Sequence, residues 1–189
     1  IDALNAHFVP RGLTLLSGLE ADILADGSLD MDDDVLARLD IVVGSVHLRF
    51  KEDADQMTRR IVAALENPRL DILGHPTGRL LGRREAYPVE IDAVIEAAAR
   101  CGKALEINAA PERMDLCDEH VRRAKAAGVV LSVNADAHSA VGLGGLSLGL
   151  CIARRAGLGP EDVINTWPLE RLRAWKAAPT RWTFSRSGI

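Results

Sequence analysis

The sequence predicts an α/β domain built on a parallel sheet, and three observations carry that prediction. Five short apolar runs recur along the chain: LTLLSGLE, DIVVGSVH, LDILGH, KALEIN and VVLSVNADAH. An acid or imidazole stands at or near the end of each, and these residues, Glu20, His47, His75, Glu106 and Asp136, follow one another at intervals of 27, 28, 31 and 30 residues. The stretches between the runs mix apolar and charged residues with helical spacing. One strand with its crossover helix takes about 30 residues, so the pattern reads as a repeated βα unit. A polar residue leaving the core at the same point of each unit puts five side chains on the carboxyl-terminal rim of the sheet, where such folds collect their chemistry.

The elements follow in order. Residues up to about 10 read as the end of a helix, and Pro10, Arg11 and Gly12 turn the chain into the first strand. An acidic loop runs from Asp22 to Asp34, its MDDD run being a solvated helix start. Asp53 and Gln56 form a capping box for a helix with Met57, Ile61 and Leu65 on one face. Pro68 ends that helix before the strand leading to His75. A helix is expected over 88–101, with Pro88 near its start, Ile91, Val94, Ile95 and Ala98 on its apolar side, and Gly102 as terminator. Residues 118–127 repeat the device and end at Gly128, and Pro160 and Pro168 open two short helices in the tail. No low-complexity linker or composition break intervenes, so residues 1–189 read as a single domain.

A hydrophobic content of 48% fits a globular class. No apolar run approaches the roughly 18 residues of a membrane span. The start IDALNAHFVPRG lacks the basic-then-apolar layout of a secretory signal, so a soluble, cytoplasmic protein is expected. Cys101, Cys117 and Cys151 are far apart and odd in number, which argues against both a disulfide framework and a zinc ribbon. A net charge of −4 excludes nucleic-acid coating by bulk electrostatics but leaves room for a local basic patch that holds a phosphate ester. The first residue is Ile, and the chain is expected to be a piece of a longer one.

A βα repeat alone accounts for one polar strand end and accounts poorly for five. His47 in GSVHLRF, or His75 before Pro76, is compatible on its own with a hydrogen-bonded structural histidine. Glu20 shifts the balance: an acid after LTLLSGL, at the edge of a core, is costly unless a positive charge compensates it, and a metal ion would do so. Asp136 and His138, two apart in NADAH, extend the set, and mixed imidazole and carboxylate donors suit zinc, manganese or iron better than calcium. Glu106 fits three roles: a direct metal bond, the orientation of a ligand, or an ion pair with an arginine. Arg79, Arg83 and Arg84 in GHPTGRLLGRR follow the His75 strand end, and guanidinium geometry suits phosphate oxygens. For Arg83 and Arg84, surface ion pairing is an equal reading. Asn108 and Arg113 in EINAAPERMD occupy another post-strand loop within reach of a substrate. His7 and His120 read as surface histidines.

The segments SGLEADI, DIVVGSVHLRF, DILGHPTGRLLGRR, ALEINAAPERMDL and VNADAH resemble successive motifs of the polymerase and histidinol phosphatase (PHP) domain. The form they resemble is the one at the carboxyl end of bacterial family X DNA polymerases. The likeness runs to about residue 176, and GHPTGRLLGRR is its most specific element. It implies a partial, distorted (β/α)7 TIM-like barrel, with up to three manganese or zinc ions in the full domain. It also implies hydrolysis of phosphate esters, as in the 3' to 5' exonuclease and 3'-end or abasic-site processing of DNA repair. DNA would be the substrate, and an upstream polymerase domain the neighbour in the parent chain.

In this likeness Glu20 matches the bridging glutamate, and His47 and His75 match the other two ligands of one metal site. Asp136 matches a ligand of a second site and His138 a ligand of a third. The paired histidines of the family's first strand, and the histidine ending its second, have no counterpart here. The expectation is therefore a barrel lacking its first two strands, with one site nearly complete, two partial, and exposed sheet edges that a second copy could meet. Glu20 would bridge two ions, Asp136 would orient water, and Arg79 would neutralise the phosphate, with Arg83, Arg84, Asn108 and Arg113 contacting substrate. No phosphate-binding glycine loop or dinucleotide fingerprint occurs, and polymerisation is not encoded in the chain. The alternatives are a small-molecule phosphatase of the histidinol phosphate type and a catalytically silent DNA-positioning module.

Overall fold

The apolar runs form the strands of a parallel sheet, the fourth being buried at all five strand positions and the first only half covered. In the computed structural model, which describes residues 1–178, they are β1 (Gly18–Asp22), β2 (Ile41–Ser45), β3 (Ile72–Leu73), β4 (Ala104–Asn108) and β5 (Leu131–Asn134). All four pairings are parallel and the strands lie in chain order. A doubly wound sheet reverses its strand order at a switch point. This one never does, so each crossover steps the same way, an arrangement compatible with part of a barrel.

The helices are α1 (Asp2–Phe8), α2 (Asp33–Leu36), α3 (Ala54–Glu66), α4 (Ile91–Cys101), α5 (Asp118–Ala126), α6 (Leu146–Arg155) and α7 (Leu169–Ala177). At α3 the expected capping box is present: Gln56 N–H donates to Asp53 Oδ1 at 2.8 Å, and the Asp53 N–H to Gln56 Oε1 at 3.4 Å. Such a cap is worth about 1 kcal/mol. Met57, Ile61, Ala64 and Leu65 of α3, with Val94, Ile95, Ala97 and Ala98 of α4, join the buried core against the sheet. Pro88 stays outside α4, because Thr58 Oγ1 accepts the Glu90 N–H at 2.9 Å and fixes the chain before it turns helical. Gly102 ends α4 at φ +62°, a left-handed position that glycine occupies without a Cβ penalty. Of the two tail helices, the one at Pro160 is a single 3-10 turn, and Pro168 is the N-cap of α7.

Two asparagines meet backbone groups at the two ends of the strand order. The Asn5 side chain accepts from Leu15 N–H at 2.8 Å and donates to Leu15 C=O at 2.9 Å, just before β1. Asn165 does the same to Val133 of β5, at 2.7 and 3.0 Å. At β5 the amide takes the place of a neighbouring strand's peptide group, which blunts that edge at Val133.

One buried cation shapes the rim where the site forms. Arg60, 3% exposed, donates from α3 to the carbonyls of Ile23, Leu24 and Leu48 and to Glu52 Oε2, tying the loop after β1 to the loop after β2. Among the described residues, no helix is long and apolar enough to cross a membrane.

Candidate metal centre

Parallel strands in register bring equivalent positions side by side. Glu20 lies in β1 opposite Val43 of β2, His47 stands two residues beyond the end of β2, and His75 two residues beyond the end of β3. One ligand atom from each of the three lies within 4.8 Å of those of the other two. His75 Nε2 is 3.2 Å and His47 Nε2 3.6 Å from the same oxygen, Glu20 Oε1. The two rings meet edge to face, with centroids 5.1 Å apart.

His75 adopts φ +26°, in the sparsely populated left-handed half of the map, at a cost of order 1–3 kcal/mol. Its surroundings determine that conformation. The His75 N–H donates to Glu106 Oε2 at 2.6 Å, and its C=O accepts from Gly78 N–H at 2.9 Å. A side chain at Gly74 would place its Cβ 2.3 Å from Ser45 Oγ, so only glycine lets β3 approach β2 here.

These residues fit a divalent transition metal. His75 is 2% exposed, and both of its ring nitrogens are buried without a hydrogen-bond partner, despite the short approach to Glu20. A buried, unpaired imidazole nitrogen forfeits its hydration, and a metal bond at Nε2 would restore a partner. The approach of the His75 imidazole, with lesser help from Ser45, outweighs burial and holds the Glu20 carboxyl at about 2. Glu20 is thus ionised at neutral pH, and one carboxylate with two imidazoles is a borderline donor set suited to zinc or manganese.

Behind this cluster lies a polar layer. Glu106 is buried and accepts from His75 N–H, from Asn134 Nδ2 at 2.8 Å and from Asn108 Nδ2 at 3.2 Å. Burial raises its carboxyl above the usual range against those hydrogen bonds. No arginine is among these partners. Asp136 accepts from Asn108 Nδ2 at 3.0 Å and from Arg113 Nε at 3.2 Å. It does not join Glu20, His47 and His75, and neither does His138, whose side chain is 88% exposed and whose Nδ1 pairs with the Asp136 carbonyl.

The three arginines of the GHPTGRLLGRR loop have different surroundings. Arg79 donates to the carbonyls of Arg113 and Met114, and Arg84 donates to the Gly78 carbonyl and covers the Phe50 ring at 3.9 Å. Arg83 is exposed. Arg113 keeps Nη1 buried and without a partner beside its ion pair to Asp136. Three contributors escaped the sequence reading. Asp22 Oδ1 lies 2.5 Å from His47 Nδ1, Asn134 bonds Glu106, and Asp115 Oδ2 accepts the Thr77 N–H at 2.9 Å. Asp22 had a signal, since it lies two residues after Glu20 and shares its strand face. Asp115 and Asn134 had none, because their partners are remote in sequence.

No family model matches the chain. Over 175 residues it is 44% identical to the DNA polymerase/3'-5' exonuclease PolX of Bacillus subtilis, an alignment covering 93% of this chain and 30% of that protein. It is 32% identical to a probable phosphatase of a Thermoanaerobacter species over 82% of this chain and 65% of that protein. With a probable phosphatase of Shewanella sediminis it shares 34% identity over 87% of this chain and 70% of that protein. The chain thus spans under a third of the PolX relative and about two thirds of the phosphatases. With identity at this level along most of its length, the chain belongs to the family that joins these probable phosphatases to bacterial PolX, the polymerase its motifs resemble.

Proposed function

We propose that this chain is a metal-dependent phosphoesterase that hydrolyses DNA phosphodiesters from 3' ends, working beside a polymerase domain as in a family X polymerase. The observation that carries the reading is the convergence of Glu20, in β1, with His47 and His75, which follow β2 and β3, on three adjacent parallel strands. The exonuclease in the name of the PolX relative supports the substrate class. In this reading residues 1–189 are one domain, and the five strands belong to a distorted (β/α)7 barrel.

Glu20, His47 and His75 would hold a manganese or zinc ion, which supplies Lewis acidity and lowers the pKa of bound water toward neutrality. The remaining chemistry belongs to the chain. Glu20 brings the negative charge, and His75 is held from behind by Glu106. Asp136 and His138 are the candidates for further ligands, Asp136 being held by Asn108 and Arg113. Arg113 Nη1, which has no protein partner among the described residues, is a candidate donor to a phosphate oxygen. Arg79 serves it by holding the Arg113 carbonyl, and Arg83 is free to meet a neighbouring backbone phosphate.

The probable phosphatases, matched over about two thirds of their length, favour a second reading, a small-molecule phosphatase. Chelator-treated protein reloaded with manganese is assayed on 3'-labelled single-stranded DNA and on p-nitrophenyl phosphate. The proposal expects manganese-dependent shortening of the DNA that Glu20→Gln abolishes. Turnover of the monoester with intact DNA would select the phosphatase, and no turnover of either would leave a silent module.

A further inference from the structure

The two ring nitrogens of His47 face two carboxylates of one strand. Glu20 and Asp22 are two residues apart in β1, so their side chains leave the same face. Glu20 Oε1 lies 3.6 Å from Nε2, and Asp22 Oδ1 lies 2.5 Å from Nδ1. The nitrogens of an imidazole point apart, so a group at Nδ1 cannot share an ion held at Nε2. Asp22 accordingly stands outside the converging ligand atoms of Glu20, His47 and His75.

We propose that Asp22 is a positioning residue that fixes His47 as the Nδ1–H tautomer and sets its ring plane, leaving the Nε2 lone pair aimed toward Glu20 and His75. The inference rests on the metal-dependent reading above and adds to it a group that does not touch the ion. A carboxylate on the far nitrogen of a ligating histidine orients the ring and raises its basicity.

Asp22 is itself held in place from several directions. Its N–H donates to Asp30 Oδ1 at 2.7 Å, and its C=O accepts from the Asp30 N–H at 3.0 Å. It pairs with Ser45 in the β1–β2 ladder, and the next residue, Ile23, donates to the Ser45 carbonyl at 2.8 Å. Arg60 then binds the carbonyls of Ile23 and Leu24 on one side and of Leu48, next to His47, on the other. The carboxylate, at the end of β1, and the ring it orients thus adjoin two loops clamped to one guanidinium, the preorganisation a metal site needs.

The test measures zinc affinity of the full chain by competition with a chromophoric chelator. Asp22→Ala should weaken zinc binding about 10- to 100-fold. Asp22→Asn, whose amide oxygen still accepts the Nδ1–H, should recover most of that loss, which a merely structural residue would not require. Long-range nitrogen–proton NMR spectra of the zinc-loaded wild type should show the His47 proton on Nδ1. Equal affinity in wild type and Asp22→Ala, or a ring protonated on Nε2, overturns the proposal. If the wild type takes up no zinc, the metal reading fails instead. The tautomer of the neutral ring in the metal-free protein then decides whether Asp22 orients His47.

Discussion

The buried carboxylate of Glu106 accepts the backbone N–H of His75 at 2.6 Å, joining the middle of β4 to a ligand candidate 31 residues earlier. That bond helps hold His75 at its positive φ, so the third corner of the site depends on a residue that does not enter it. Glu106→Ala would leave the His75 N–H and the Asn134 amide without their acceptor, and Asn108 Nδ2 with Asp136 alone. The expected cost is about 3 kcal/mol in denaturant unfolding, with weaker metal binding alongside. A change within about 0.5 kcal/mol, as for an ordinary surface substitution, would contradict this assignment.

Asp115 gives a pH dependence. Burial, opposed by its bonds to Thr77, raises its carboxyl above the ordinary value of 3.8. The folded protein therefore binds this proton more tightly than the unfolded chain does. The stability it contributes is fully present below 3.8 and is lost as pH rises through the raised folded value. Asp115→Asn should flatten that segment of the stability-against-pH curve. Unfolding measured across the acid to neutral range checks it, and parallel curves for the two proteins would refute the shift.

Arg79 and Arg83 should separate cleanly. Arg79→Ala frees the carbonyls of Arg113 and Met114, and is expected to lower both thermal stability and the hydrolysis of any phosphate ester. Arg83→Ala removes an exposed charge, so it should spare stability and p-nitrophenyl phosphate turnover while weakening DNA cleavage and its salt dependence. Equal losses on both substrates from Arg83→Ala would point to a structural role for the loop. No loss on DNA would favour a small-molecule substrate.

The sequence makes the three converging residues legible because each ends an apolar run, and neighbouring parallel strands in register bring those positions together. That ground names Glu20, His47 and His75 together with Glu106 and Asp136, which stand outside the cluster, and the Asp53–Gln56 box and the Gly102 stop were equally local signals. What it leaves out is long-range. The spacing of GHPTGRLLGRR puts Arg79 and Arg84 on the right loop but cannot say that they turn to the carbonyls of Arg113, Met114 and Gly78. Asp136 and His138 sit at the expected strand end. Yet the first is held by Asn108 and Arg113 and the second is exposed, because orientation past a strand end depends on neighbours that periodicity does not encode. Arg60, on the apolar side of α3, is buried because three carbonyls from two distant loops meet its guanidinium.

Metal content of the chain tests the central claim most directly. Protein stripped with a chelator, reloaded with manganese or zinc and freed of excess should retain at least one ion per chain by elemental analysis. The doubly substituted His47→Ala, His75→Ala chain, still folded by circular dichroism, should lose it. Stoichiometry unchanged by the double substitution would contradict the assignment of Glu20, His47 and His75 as the metal site.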